Sequence, residues 1–129
     1  MDSIVLIGDM LPDADGIRFD SRIIETCKNA AAVLINLEGA ITDRPAVNGK
    51  KYGLLAPEHI IKQLKALCVN CVLLGNNHVM DAGEKGLADT IAVLQDNGIS
   101  FAGVGMAGDK IYNELPFKTP NGEEYVIFS

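Results

Sequence analysis

The sequence predicts an α/β fold, with mostly parallel strands, crossover helices and a C-terminal β-hairpin. Three observations predict it. Apolar, β-branched runs alternate with helically periodic segments. The runs are continuous rather than alternating, as in strands buried on both faces. Three of them stop at a chemistry-bearing residue: Ser3 to Gly8 at Asp9, Ala32 to Leu37 at Glu38, and Cys71 to Gly75 at Asn76-Asn77-His78. Parallel neighbours would bring those ends to one edge, where α/β proteins place their chemistry.

Taken in order, strands are expected near 3–8, 32–37, 71–75 and 100–102. Phe19 to Asn29 reads as a short helix. Gly39 to Leu55 has Pro, Gly and Asn, basic Arg44, Lys50 and Lys51, and no periodicity, so it reads as a long loop of the functional or mobile kind. Pro57 to Leu67 is a second helix, with Pro57 in its first turn and Ile60, Ile61, Leu64 and Leu67 on one face. Asp81 to Asn97 is a third. Asp81 and Glu84 have capping-box spacing, Leu87, Ile91 and Leu94 form the stripe, and Gly98 stops it. Phe117 to Thr119 and Tyr125 to Phe128, around Pro120-Asn121-Gly122, form the hairpin.

At 129 residues and 48% hydrophobic, the chain is expected to make a single α/β domain. Only Ser129 follows the strand-like Tyr125 to Phe128, which suggests a fragment of a larger domain with an apolar edge through which the hairpin would form a homo-oligomer. The net charge of −6 and the lack of basic runs argue against nucleic acid. With no signal-like start and no stretch of about 18 apolar residues, a cytoplasmic location is expected. The odd count of three cysteines suits a reducing compartment.

Asp9, Glu38 and Asn77 are oxygen donors suited to hard or borderline divalent ions, and His78 is placed to give a proton to a leaving oxygen. Taken singly, Asp9 also fits a turn residue, Glu38 a solvated carboxylate, Asn77 a backbone cap and His78 a half-buried loop histidine. Recurrence at three strand ends favours the functional reading. His59, in the first turn of the second helix, reads as a surface residue. Gly103-Val104-Gly105-Met106-Ala107-Gly108 matches a dinucleotide fingerprint by letter, but a hairpin rather than a long helix follows it. Cys68 and Cys71 have redox spacing, yet run from a helix end into a buried strand, so they read as boundary and core residues.

In sequence order, Gly8-Asp9-Met10-Leu11, Asn36-Leu37-Glu38-Gly39, Lys51-Tyr52 with Ala56-Pro57-Glu58, Asn76-Asn77-His78 with Asp81 and Gly83, and Gly98-Ile99 before Gly103 to Gly105 extend over nearly the whole chain. This series resembles the bacterial capsule-synthesis and poly-gamma-glutamate-synthesis family of the calcineurin-like metallophosphoesterase superfamily. The resemblance implies the N-terminal half of a layered metallophosphoesterase-like α/β sandwich. It assigns metal ligation to Asp9, Glu38 and Asn77, assistance at the phosphoryl group to His78, and divalent manganese, zinc or iron as cofactor. Two departures stand out. Leu11 occupies the position where the superfamily usually has a histidine, and the family's later histidine ligands belong to a C-terminal half beyond these residues. Metal binding by this chain alone is therefore expected to be weak or absent. Two functions follow: metal-assisted hydrolysis of an anionic small-molecule or polymer ester in the intact parent, or non-catalytic binding and assembly of an anionic surface polymer, which Leu11 favours.

Overall fold

In a computed structural model the described residues are 3–11, 17–47, 55–56, 60–109, 114–119 and 121–129. The expectations for Pro57, His59, Lys50, Lys51 and Tyr52 lie outside them. The elements are β1 (Ile4–Met10), α1 (Ser21–Lys28), β2 (Ala32–Leu37), β3 (Ala40–Ile41), β4 (Leu55–Ala56), α2 (Ile60–Ala66), β5 (Cys71–Leu73), α3 (Gly83–Asp96), β6 (Ser100–Ala102), β7 (Leu115–Lys118) and β8 (Glu124–Ile127). Strands β1, β2, β5 and β6 form a parallel sheet in that order, while β7 and β8 pair antiparallel. The mostly parallel α/β architecture with a terminal hairpin is therefore as the sequence predicts. Among the described residues no helix is long and apolar enough to cross a membrane.

One face of the sheet carries the main core. Val5, Ile7, Val33, Ile35 and Val72 project to the side where Ile60, Ile61, Leu64 and Leu67 of the α2 region and Leu87, Ile91 and Leu94 of α3 pack. Helix α1 is started by Asp20, whose carboxylate accepts from the Arg22 amide at 2.8 Å. Gly98, at φ +69°, ends the turn after α3 as expected of a left-handed C-terminal glycine.

The opposite face is a correction. Continuous apolar runs predict burial on both sides, but here the hairpin is the cover: Leu115, Phe117 and Ile127 pack on Ala32, Leu34, Cys71 and Ala102. That cover stops short of β1, leaving Leu6 73% exposed. Tyr125, Val126 and Phe128 are also exposed. At the other flank, Gly103 (φ +92°) passes so close to the loop after β5 that an added Cβ would lie 2.6 Å from the Gly75 nitrogen. The first glycine of the fingerprint-like segment thus has a packing role, and the described residues from Ala107 to Asp109 form a turn where a dinucleotide site would open a helix.

The stretch from Gly39 to Leu55, expected to be a long loop of the functional or mobile kind, is flanked by two-residue strands paired in parallel, Ala40 with Leu55 and Ile41 with Ala56. Segments that short carry no periodic signal. Side chains fix β3 to α3: the Ile41 amide donates to Thr90 Oγ1 at 2.9 Å, while Thr42 Oγ1 and Arg44 Nε each donate to Asp89 Oδ2 at 2.6 Å. The bonds from Arg44 and Thr42 hold the Asp89 carboxyl below its ordinary value of 3.8. A depressed carboxylate contributes stability above that value and loses it as pH falls through the lower, folded-state value. The difference in urea midpoint between wild type and Asp89→Asn should therefore shrink as pH drops from about 5 towards 2. A difference that is constant, or grows on acidification, would remove Asp89 from the acid response. Both partners are partly solvated, so the effect is modest.

Candidate functional site

The parallel pairings of β1 with β2 and of β2 with β5 place the three strand ends side by side, as the sequence predicts. Strand β1 reaches this edge through a β-bulge between Ile7 and Asp9, so that Asp9 lies opposite Asn36 and Met10 opposite Leu37. Asn36 Nδ2 donates to Asp9 Oδ1 at 2.6 Å, and Asn76 Nδ2 donates to Asn36 Oδ1 at 3.2 Å. Asn76 also donates to the Leu37 carbonyl at 2.8 Å. One row of amides therefore ties β1, β2 and the loop after β5 together.

The same Asn76 shapes the loop that carries the imidazole. Its Oδ1 accepts from the backbone amides of His78 and Val79, each at 3.1 Å. The Asp81 amide donates to the His78 carbonyl at 3.0 Å, closing a tight turn with His78 and Asp81 at its two ends. His78 Nδ1 then meets Asp81 Oδ2 at 2.8 Å, and His78 Nε2 lies 3.8 Å from Glu38 Oε1. His78 is half-buried, and Asp81 is 0% exposed.

Asp81 is a correction to the predicted capping box. Helix α3 starts at Gly83, two residues later than expected, with Ala82 at its N-cap and no side-chain cap bond. A buried carboxylate needs a strong partner, and the imidazole supplies one. Capping-box spacing is the same whether the acid turns out to the helix or in to the turn. Asn77, expected as a metal ligand, is exposed beside this row, and the links between the strand ends are made by Asn36 and Asn76, to which the sequence assigned no role.

Glu38 and His78 thus come together at one point, and Asp9 stands further along the edge through Asn36. The donor chemistry suits a divalent ion, but one Asp9 oxygen already accepts from an amide. Among the described residues, no three His, Cys, Asp or Glu side chains converge closely enough to hold a metal. These residues alone do not fit a metal centre, and no step is assigned to one. Cys27, Cys68 and Cys71 are free thiols. Cys71, buried in β5, is pushed up to about 11 by burial, consistent with a core residue rather than a redox centre.

Among known proteins, the chain is 35% identical over 92 residues to the uncharacterized proteins y4sH and y4uA of Sinorhizobium fredii, covering 66% of this chain and 20% of each of theirs. It is 38% identical over 73 residues to a Mycobacterium tuberculosis protein named "Probable polyglutamine synthesis accessory protein Rv0574c", covering 56% of this chain and 19% of that one. The chain therefore spans about a fifth of the length of these relatives. Residues 5–129 match the family described as "Bacterial capsule synthesis protein PGA_cap". With that match running through Asp9, the Asn36 to Glu38 segment and the Asn76 to Asp81 turn, the chain belongs to this bacterial capsule-synthesis family.

Proposed function

We propose that this sheet edge is one wall of a site that hydrolyses an anionic ester during synthesis of an anionic surface polymer, in the full-length gene product. The observation that supports the reading is His78, with Nδ1 engaged by a buried carboxylate and Nε2 turned towards Glu38 in a half-open position. In that setting water adds to the acyl or phosphoryl centre while an imidazolium gives its Nε2 proton to the departing oxygen as the ester bond breaks. Family membership and the synthesis-accessory name of the mycobacterial relative support the polymer context. A divalent ion, were it used, would need donors from elsewhere in the gene product. Three free thiols accord with a reducing, cytoplasmic setting.

A second reading is non-catalytic binding or assembly of the polymer. It is favoured by Leu11, which is exposed at the strand end where the superfamily usually has a histidine. The two separate on assay of the full-length gene product against aryl phosphates, other anionic esters and a poly-gamma-glutamate-type polymer, with manganese, zinc or iron supplied in turn. Turnover of one of the esters supports hydrolysis. Retention of the polymer with no turnover of any ester overturns it in favour of binding.

A further inference from the structure

We propose that Cys27 and Cys68 are a peroxide-responsive thiol pair, which closes to a disulfide between the C-terminal ends of α1 and α2. After α3, the Gly98 amide donates to the Gln95 carbonyl and the Ile99 amide to the Leu94 carbonyl, each at 3.0 Å, with Gly98 in the left-handed conformation. After α2 the same pair of bonds recurs, from the Cys68 amide to the Lys65 carbonyl and from the Val69 amide to the Leu64 carbonyl, again each at 3.0 Å. Here the left-handed position, at φ +55°, is held by Cys68, the one non-glycine residue with a positive φ among the described residues. A side chain is disfavoured in that conformation, so the turn alone calls for glycine. A backbone outlier of this kind points to a use for the side chain it carries.

The topology brings a second thiol to the same place. Crossovers between neighbouring parallel strands are right-handed, and in the order β1-β2-β5 they set α1 and α2 side by side on the face that carries the main core. Both helices run back against the strands and end where β2 and β5 begin. Two bonds hold those ends together: the Asn70 amide donates to the Val33 carbonyl at 2.9 Å, and the Val33 amide donates to Asn70 Oδ1 at 2.7 Å. Cys68 is two residues before Asn70. Cys27 is in the last turn of α1, and its carbonyl accepts from the Ala30 amide at 3.2 Å in the turn that leads to Val33. Burial first, and then the negative charge that the neighbouring Cys68 sulfur can carry, push the Cys27 thiol up, as expected of two sulfurs within each other's field.

Cys27 is 1% exposed while Cys68 is open to solvent, so Cys68 is the one that meets the oxidant. Its sulfur attacks one oxygen of hydrogen peroxide, the O–O bond breaks, and water leaves, giving a sulfenic acid. The Cys27 sulfur then attacks the Cys68 sulfur. The S–O bond breaks and a second water departs with the Cys27 proton, so that two thiols have lost two electrons to the peroxide. In a reducing compartment such a bond is transient, and exchange with free thiols reverses it.

The test treats the chain with hydrogen peroxide, alkylates the remaining thiols after denaturation, and maps the digest without reduction by fragmentation mass spectrometry. Wild type should show Cys27 joined to Cys68 and Cys71 alkylated, with the link lost on addition of dithiothreitol. Cys68→Gly suits the left-handed turn, so the reduced variant should keep a cooperative urea transition and show no link after peroxide. A wild-type map with Cys27 and Cys68 both unlinked would overturn the proposal, whether or not the variant folds. So would a link from Cys27 to Cys71, or one that joins two copies of the chain, because neither uses the two helix ends of one molecule.

Discussion

On the proposed hydrolytic reading, His78→Ala in the full-length gene product is expected to lower kcat by roughly 100- to 10,000-fold, the scale of a positioned proton donor. KM should change little. The imidazole is half-buried at the end of the turn, and its hydrogen bonds run to Asp81 and not to the core of the sheet, so its loss removes a transition-state contact rather than the binding surface. The accompanying cost is an Asp81 carboxylate left without its histidine partner, and a thermal melt of the same variant would detect it. Steady-state kinetics decide the matter. A His78→Ala protein that turns over ester at the wild-type rate would remove the histidine from the chemistry and transfer the argument to polymer binding.

The second large effect is on stability. Leu64→Ala in α2 should cost about 2–5 kcal/mol, because the side chain is 0% exposed within the main core and its removal leaves a cavity as well as losing burial. Against a typical total of about 5–15 kcal/mol, such a loss lowers the urea midpoint substantially. Leu6→Ala serves as the contrast. Leu6 is as apolar as Leu64 but 73% exposed on the uncovered face of β1, so its truncation should fall within about 0.5 kcal/mol of neutral. Equal effects at the two positions would mean that the face over β1 is covered in solution.

These two leucines also show where sequence reading works and where it stops. Leu64 belongs to a set with Ile60, Ile61 and Leu67 whose helical spacing can be counted directly, and all four are buried. Leu6 lies in a run as apolar as that of β2, yet nothing local to the run tells whether a second layer lies over it. Glu38 and His78 were legible because each follows a strand, and parallel strands bring their ends together. Asp81 was not, since its spacing to Glu84 satisfies a helix cap and only the fold shows the side chain facing the histidine three residues before it. Asn36 and Asn76 were equally hidden: an amide bridge between neighbouring strands depends on register, and register across 40 residues of chain is not written in either segment.

Gly8 bears on this in a way that concerns counting more than chemistry. In regular alternation after Ile7, Asp9 would fall on the helix-covered face and Met10 on the other. The extra residue at the bulge transposes them, giving Met10 to the core, where it is 4% exposed, and Asp9 to the face of Asn36. An added Cβ at Gly8 would meet nothing within 4 Å, so the identity of that residue is loosely constrained. The count of residues decides something else, namely whether a bulge is needed: without Gly8, the carboxylate would follow Ile7 directly and still pair with Asn36 on the same face in regular register, so a relative one residue shorter here would present the same carboxylate from an unbulged strand.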